Sequence, residues 1–335
     1  MKKYLVTGGA GFIGSHFIEL LQEKKKDILI IDKNNFSLKK KYNYKNLNFH
    51  KINLLNFNKV NFLVKKYKPD VIVNFAAESH VDRSLSKPNF FLENNTSIVI
   101  NLFNSIIFNK LKPRFVQIST DEVFGALTKK QKSFNLNSPY LPSNPYSISK
   151  AASDFYVNYF SKTFSINSVT TICSNNFGER QYPEKFIPLS ILSLLSNKPI
   201  TLYGNGENIR DWIYVKDHCL GIYNAIKYGN NLEKYLIGSQ NEYSNLEISK
   251  LIFSYLKNKS FTKLNKKNFI KFIKDRPSHD FRYSLDTRAS NKLLKLKPNK
   301  SNFNNYLYNT IDYYINNYER YKKLMIKDKW FKRYE

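Results

Sequence analysis

Tyr4-Leu5-Val6-Thr7-Gly8-Gly9-Ala10-Gly11-Phe12-Ile13-Gly14-Ser15 is the stretch that decides the fold of this chain of 335 residues. Tyr4 to Thr7 reads as a short apolar strand, and Ser15 to Leu21 as the apolar-periodic start of a helix. Between them, Gly8, Gly11 and Gly14 permit a tight turn, close approach of backbone to a pyrophosphate, and close packing of helix on strand. The anion would sit at the helix N-terminus, with Phe12 and Ile13 flanking it. A second strand, Asp27 to Ile31, runs into Asp32, 18 residues beyond Gly14. A carboxylate there accepts hydrogen bonds from an adenosine ribose and repels a 2′-phosphate, so NAD is expected over NADP. Lys33 beside it tempers that preference, and Lys33, Asn34 and Asn35 join the expected cofactor-binding set.

Working outward, Leu47 to Ile52 reads as a third strand leading to Asn53 and Leu54, Phe57 to Tyr67 as a helix, and Asp70 to Asn74 as a nearly continuous apolar strand. Phe75, Ala76, Ala77 and Ser79 follow it, small enough for the most part to let a ribose and nicotinamide lie against the backbone. Pro88 to Asn109 makes a long helix, Arg114 to Ser119 a fifth strand, Tyr146 to Ser161 another helix and Val169 to Cys173 a sixth strand. This alternation predicts an α/β, Rossmann-type doubly wound parallel sheet, covered on both faces. We expect a dinucleotide-binding domain over 1–174, with 213–230 returning to it. A smaller substrate-binding lobe, 175–212 and 231–335, lies over the carboxyl ends of the strands. Within the lobe Leu246 to Leu256 and Phe303 to Lys323 read as helices, and 258–271 as an exposed connection.

The chemistry is carried by Phe115-Val116-Gln117-Ile118-Ser119-Thr120-Asp121-Glu122-Val123-Phe124-Gly125 together with Tyr146-Ser147-Ile148-Ser149-Lys150. A buried strand delivers a hydroxyl and two carboxylates at its end. Residues four apart share a helix face, so the Lys150 ammonium can approach the Tyr146 phenol, whose free pKa is about 10, and lower it. Tyr146 is then a candidate base for a hydroxyl proton. Two adjacent acids can serve opposite duties only if their surroundings push their pKa values apart, with Asp121 raised and Glu122 left ionised.

Composition limits the alternatives. With 42% hydrophobic and 24% charged residues the chain is globular. Two cysteines, Cys173 and Cys219, give no disulfide framework. No apolar run is long enough to span a bilayer, and the N-terminus enters a strand without a signal-peptide pattern, so a cytoplasmic protein is expected. The net charge of +28 comes from 54 lysines and arginines, only nine of them arginine, against 26 acids. The lysines are scattered rather than gathered on one stripe, which argues for compositional drift and against a nucleic-acid partner. Arg83, Arg210, Arg276 and Arg282 stand out, since a chain that otherwise uses Lys places a planar fork there.

The ordered motifs Thr7 to Ser15, Ala76 to Ser84, Ser119 to Gly125, Pro145 to Asp154, Cys173 to Gly178, Pro183 to Pro188, Ile209 to Trp212 and Asp275 to Asp280 span nearly the whole chain. In them the chain resembles the extended short-chain dehydrogenase/reductase family, and within it the branch of dTDP-glucose 4,6-dehydratases. The resemblance implies NAD as cofactor, no metal, and dTDP-glucose as substrate, oxidised at C4, stripped of water across C5 and C6, and reduced at C6. It implies Thr120, Asp121, Glu122, Tyr146 and Lys150 as catalytic residues, and Asn94 and Asn176 beside the cofactor. Substrate contacts implied are Ser79, His80, Thr120, Asn175, Glu184, Lys185, Phe186, Thr201, Tyr203, Arg210, Asn245, Asp275, Arg276 and His279. Arg210 and Arg276 suit a diphosphate. Asp82 and Arg83 are read as a structural ion pair or a dimer contact, and the helices from Pro88 and Tyr146 as a four-helix bundle across a homodimer. Asn53, Asn94, Phe124 and Ser278 depart from the family's usual Asp, Thr, Tyr and Gly. Rival readings are an epimerase or a dehydratase acting on UDP- or CDP-sugars, and a non-catalytic NAD-binding protein with an RNA-binding surface.

Overall fold

The structure, a computed structural model, describes residues 1–33, 47–297 and 302–327. The chain opens with β1 (Lys3–Thr7), α1 (Phe12–Glu23), β2 (Asp27–Asp32), β3 (Asn48–Lys51), α2 (Phe57–Tyr67) and β4 (Val71–Asn74). It continues through α3 (Val81–Ser86), α4 (Pro88–Phe108), β5 (Arg114–Thr120), α5 (Pro145–Thr163), β6 (Ser168–Cys173) and β7 (Asn175–Phe177). Then come α6 (Phe186–Leu195), β8 (Ile200–Tyr203), β9 (Ile209–Tyr214), α7 (Val215–Tyr228), β10 (Glu233–Ile237) and β11 (Glu242–Ser244). The remaining elements are α8 (Asn245–Asn258), β12 (Ile270–Ile273), α9 (Arg288–Leu293), α10 (Phe303–Asn316) and α11 (Tyr318–Lys327).

Seven strands form one sheet in the order β10-β6-β5-β4-β1-β2-β3, every pairing parallel. A strand alternates its side chains between the two faces, and both faces here are covered. Tyr4 and Val6 of β1, with Ile28 and Ile30 of β2, meet Phe17, Ile18 and Leu21 of α1 and Ile222 and Ile226 of α7. Leu5, Leu29 and Ile31 point the other way, onto Val60 and Val64 of α2, Leu102 and Phe103 of α4 and Phe160 of α5. This two-sided burial explains why β4 reads as an apolar run, Val71 to Val73, rather than as an alternating pattern.

Beyond β6 the chain builds two small sheets, β11-β9-β7 and β12-β8, over the carboxyl ends of the large one. Three expectations shift here. β10, assigned from sequence to the lobe, pairs with β6 through Glu233↔Val169 to Ile237↔Cys173 and forms the edge of the large sheet. The helix expected from Phe303 to Lys323 breaks after Asn316, giving α10 and α11, with Asn317 Nδ2 donating to the Tyr313 carbonyl at 2.8 Å. The connection over 258–271 ends in β12, whose partner is β8; Lys- and Asn-rich composition hid a short strand that is half-buried at its two ends and exposed between them.

Candidate active site

Three chain segments meet at the carboxyl end of the large sheet. The first is the glycine turn. Gly8 sits at φ +67°, and a Cβ there would lie 2.7 Å from the Ala76 nitrogen. A Cβ on Gly14 would lie 2.3 Å from the Gly8 carbonyl oxygen and 2.8 Å from Gly9 Cα, so only glycine lets α1 begin this close to β1. Gly11 caps α1 without a side-chain bond, which leaves the helix N-terminus to an anion. Asp32 closes the turn, its Oδ2 accepting from the Ala10 N–H at 2.9 Å. This cradle fits a dinucleotide pyrophosphate.

Around it, Phe12 and Ile13 lead into α1, and Phe75 packs at 5.3 Å on Phe17, with Ala76 and Ala77 next in line. Asn53 is exposed and folds back, its Oδ1 accepting from the Leu55 N–H at 3.1 Å, while Leu54 is buried. Lys33 is ion-paired to Glu78. Asn34 and Asn35 lie outside the described residues. Asn94 is buried and donates to Asn95 Oδ1 at 3.0 Å. Asn176 is locked from both ends of its amide: Nδ2 donates to the Ser174 carbonyl at 3.0 Å, and Oδ1 accepts from His218 Nδ1 at 2.8 Å.

The second segment is the end of β5. Thr120 caps a 3-10 turn, Asp121–Phe124, and its hydroxyl accepts from the Glu122 N–H at 3.4 Å. Gly125 follows at φ +84°, where a Cβ would meet the Leu141 carbonyl at 2.4 Å. Phe124 is held by apolar packing: it stacks on Phe134 at 5.1 Å and meets the edge of Tyr140 at 5.4 Å.

The third is the start of α5. Asn144 caps it in a reciprocal capping box with Ser147, and Pro145 occupies the first turn, so Tyr146 projects from the helix start. Asn144 also donates to Glu122 Oε2 at 3.4 Å, tying the cap to the 3-10 turn. The Tyr146 phenol shares a hydrogen bond with Thr120.

Electrostatics corrects two expectations. Lys150 is buried, and its Nζ donates to the Ile118 carbonyl at 2.7 Å. The phenol instead faces acids: burial first, then Glu122, push Tyr146 well above its usual value, with only the Thr120 bond acting the other way. The helical spacing of Tyr146 and Lys150 is real, but a carbonyl on the neighbouring strand takes the ammonium. Asp121 behaves as expected: burial, then the charges of Glu122 and Asp211, hold it well above the ordinary carboxylate range. Glu122 is raised as well, by burial, and Arg210, Arg276, Lys185 and the Asn144 bond oppose that rise. The two acids are therefore distinguished by cations: four groups stabilise the Glu122 anion, whereas two of the charges around Asp121 are negative.

Glu122 opens into a cavity of about 210 Å³ that also gathers Ser79, His80, Asn175, Asn176, Glu184, Lys185, Phe186, Thr201, Tyr203, Arg210, Asn245, Arg276 and His279. Of the implied substrate contacts, Thr120 and Asp275 do not line the cavity, though Asp275 bonds the lining residue His279 at Nδ1, 2.6 Å away. Lys185 Nζ donates to the Ser79 carbonyl at 2.8 Å, and Glu184 stands 3.7 Å from His80 Nε2, so the two loops close one wall together. Arg210 is buried with its fork on the carbonyls of Ile209, Phe281 and Asp280 and its plane 4.3 Å from the Tyr283 ring. Arg276 is ion-paired to Asp82. Asp82 thus pairs across the cleft and not with Arg83, which reaches Glu78 at 3.6 Å and Glu184 at 3.7 Å. Sequence reading missed Gln181, Trp212 and Tyr283, which also line the cavity. Trp212 completes the Ile209 to Trp212 motif, so the motif itself was the signal; nothing local marks Gln181 or Tyr283. Among the described residues no group of three or more His, Cys, Asp or Glu side chains is placed to hold a metal ion, and no helix is long and apolar enough to cross a membrane.

A parallel sheet of this order, with a glycine cradle at its first turn and a hydroxyl and two carboxylates at the end of β5, defines the doubly wound class that includes nucleotide-sugar dehydratases and epimerases. Within that class the chain belongs to the family described as GDP-mannose 4,6 dehydratase, whose model matches residues 5–308. It is 36% identical over 337 residues to a dTDP-glucose 4,6-dehydratase of Neisseria gonorrhoeae, covering 95% of this chain and 97% of that one. To the Haemophilus influenzae dTDP-glucose 4,6-dehydratase it is 37% identical over 335 residues, covering 95% and 99%. Among solved structures it is similar to the dTDP-glucose 4,6-dehydratase DesIV of Streptomyces venezuelae, which has NAD bound, with a TM-score of 0.88 at 33% identity over 96% of this chain and 99% of that one. A UDP-glucose 4-epimerase of Thermotoga maritima shares the fold, with a TM-score of 0.84 at 22% identity over 94% and 99%.

Proposed function

We propose that this chain is an NAD-dependent hydro-lyase that converts dTDP-glucose to dTDP-4-keto-6-deoxyglucose and water. The observation that carries the reading is the asymmetric acid pair at the end of β5: Asp121 deep among negative neighbours, Glu122 ringed by cations. An epimerase has no need of a carboxyl group kept protonated beside a carboxylate. The relatives' names support the same substrate. Purified protein incubated with dTDP-glucose and no added cofactor should yield a product lighter by one water; recovery of a C4 epimer, or turnover of UDP- or CDP-glucose in preference, would overturn the reading.

Bound on the glycine cradle, NAD supplies the acceptor for a hydride from C4 and the donor of a hydride to C6. Gly8, Gly11, Gly14 and Asp32 hold it, and the short side chains after β4 leave it room. Tyr146, steadied by Thr120, takes the proton of the C4 hydroxyl. Arg210, Arg276 and Lys185 offset the Glu122 charge that would otherwise keep the phenol protonated. With C4 a ketone, the C5 hydrogen becomes acidic and Glu122 removes it. Asp121 gives its proton to the C6 hydroxyl, which departs as water, and Glu122 returns a proton to C5 when C6 is reduced. Arg276 faces the substrate diphosphate, and the Asn175 and Asn245 amides face its polar edges.

The chain works as a homodimer in the cytoplasm. Ile148, Phe155 and Tyr159 form one stripe on α5, 47%, 64% and 54% exposed, and Phe90, Leu92 and Phe108 are exposed on the adjoining α4. An apolar stripe this long on two packed helices is the kind of face a partner covers. Both cysteines are free and buried, as suits a reducing compartment.

A further inference from the structure

Tyr146, Lys150 and Asp154 lie at successive four-residue steps of α5, one face of the helix. Tyr146 has its role above and Lys150 its bond to the Ile118 carbonyl; Asp154 has neither. Asp154 is 6% exposed, and a carboxyl group so deep needs a reason. Its Oδ2 accepts two hydroxyl bonds, from Ser119 Oγ at 2.5 Å and from Tyr140 at 3.1 Å. Two hydroxyl donors on one carboxyl oxygen favour the ionised form of the group. Lys150, 4% exposed, has the Ile118 carbonyl as its hydrogen-bond acceptor, a neutral group that cannot balance a buried ammonium. Its charged surroundings are Asp154 from its own helix and Cys173 from β6. Burial pushes the Cys173 thiol up to about 12, so it carries no charge in the working range. α4 faces this region with amides: Asn95 Nδ2 bonds Ser149 Oγ at 2.8 Å.

We propose that Asp154 is the counter-charge of Lys150, a positioning residue that keeps the buried ammonium charged and aimed at the end of β5. Ser119 and Tyr140 are the clamps that keep Asp154 ionised. Electrostatics agrees in direction: burial lowers Lys150 and Asp154 raises it, while burial raises Asp154 and Lys150 leads the groups holding it down. The proposal adds to the Lys150–Ile118 contact described above, and the turnover arm of its test rests on the dehydratase reading.

The test uses full-length protein with ¹³Cε-labelled lysine, the Lys150 resonance being assigned with Lys150→Arg. In Asp154→Asn the Lys150 ammonium should titrate at least about one pH unit lower than in the wild type, and Asp154→Glu should restore it. The alkaline limb of the turnover profile should move down with it. A Lys150 midpoint unchanged in Asp154→Asn would overturn the proposal, even if activity fell. Should Asp154→Asn not fold, the pair Ser119→Ala/Tyr140→Phe keeps the carboxylate but strips its donors. The acid limb of turnover should then rise while the alkaline limb stays; an unmoved acid limb would contradict the proposal. Absence of dTDP-glucose turnover in the wild type would count against the dehydratase reading alone, since the resonance reports Lys150 without substrate.

Discussion

Asp121 and Glu122 are neighbours in the chain that experience opposite fields. Asp121 has its folded pKa raised above the unfolded value by burial, Glu122 and Asp211. The native state therefore binds the extra proton, and stability falls as pH rises from the unfolded carboxylate value toward the folded one. Asp121→Asn removes that cost, so at neutral pH it should unfold at a higher temperature than the wild type while losing water elimination. Thermal unfolding and turnover of the same preparation check both halves. Glu122→Gln removes the charge that pushes Tyr146 up. It should stall with reduced nicotinamide accumulating on the enzyme, and its first oxidation should become competent at lower pH than in the wild type. Stopped-flow absorbance reads both effects.

At this scale the sequence was legible in residue type but not in partnership. That Tyr146 and Lys150 share a helix face follows from spacing. That Lys150 bonds Ile118 across the helix–sheet interface does not, because it depends on how α5 lies against β5. Asp82 likewise chose Arg276, 194 residues away, over its neighbour Arg83. Ser278, standing where glycine is usual, takes the left-handed backbone anyway, at φ +53°.

Among the elements, α5 has the most exacting start. Its cap Asn144 holds the Ser147 N–H at 2.9 Å and reaches Glu122, so one side chain orders the helix and touches the acid. Asn144→Ala should lose about 1 kcal/mol of stability and some activity. Asn144→Asp should keep the cap yet place a second anion by Glu122, raising Glu122 and cutting turnover with little change in the denaturant midpoint. Full turnover in Asn144→Asp at unchanged stability would show that Asn144 is only a cap. In the large sheet β1, β2 and β4 were readable by their apolar runs and the helices between them by their length, with glycine or polar turns as punctuation. β10 was not, since two of its five residues are charged and only pairing with β6 identifies it. The short strands β7, β11 and β12 carry too few residues for a period to show.

For the whole molecule, the large parallel sheet and the two small sheets meet around one cleft, into which Glu122 opens. The exposed stripe on α5 predicts the assembly. Phe155→Glu/Tyr159→Glu should give a monomer by light scattering, with the wild type a dimer at the same concentration. A monomeric wild type would remove the dimer.

The central claim is that the hydride taken from C4 is the one returned to C6, with water lost in between. Substrate deuterated at C4, turned over by protein with its retained unlabelled NAD, tests it directly. Product carrying the deuterium at C6 is the predicted result; product without deuterium, or with the label still at C4, would contradict the account.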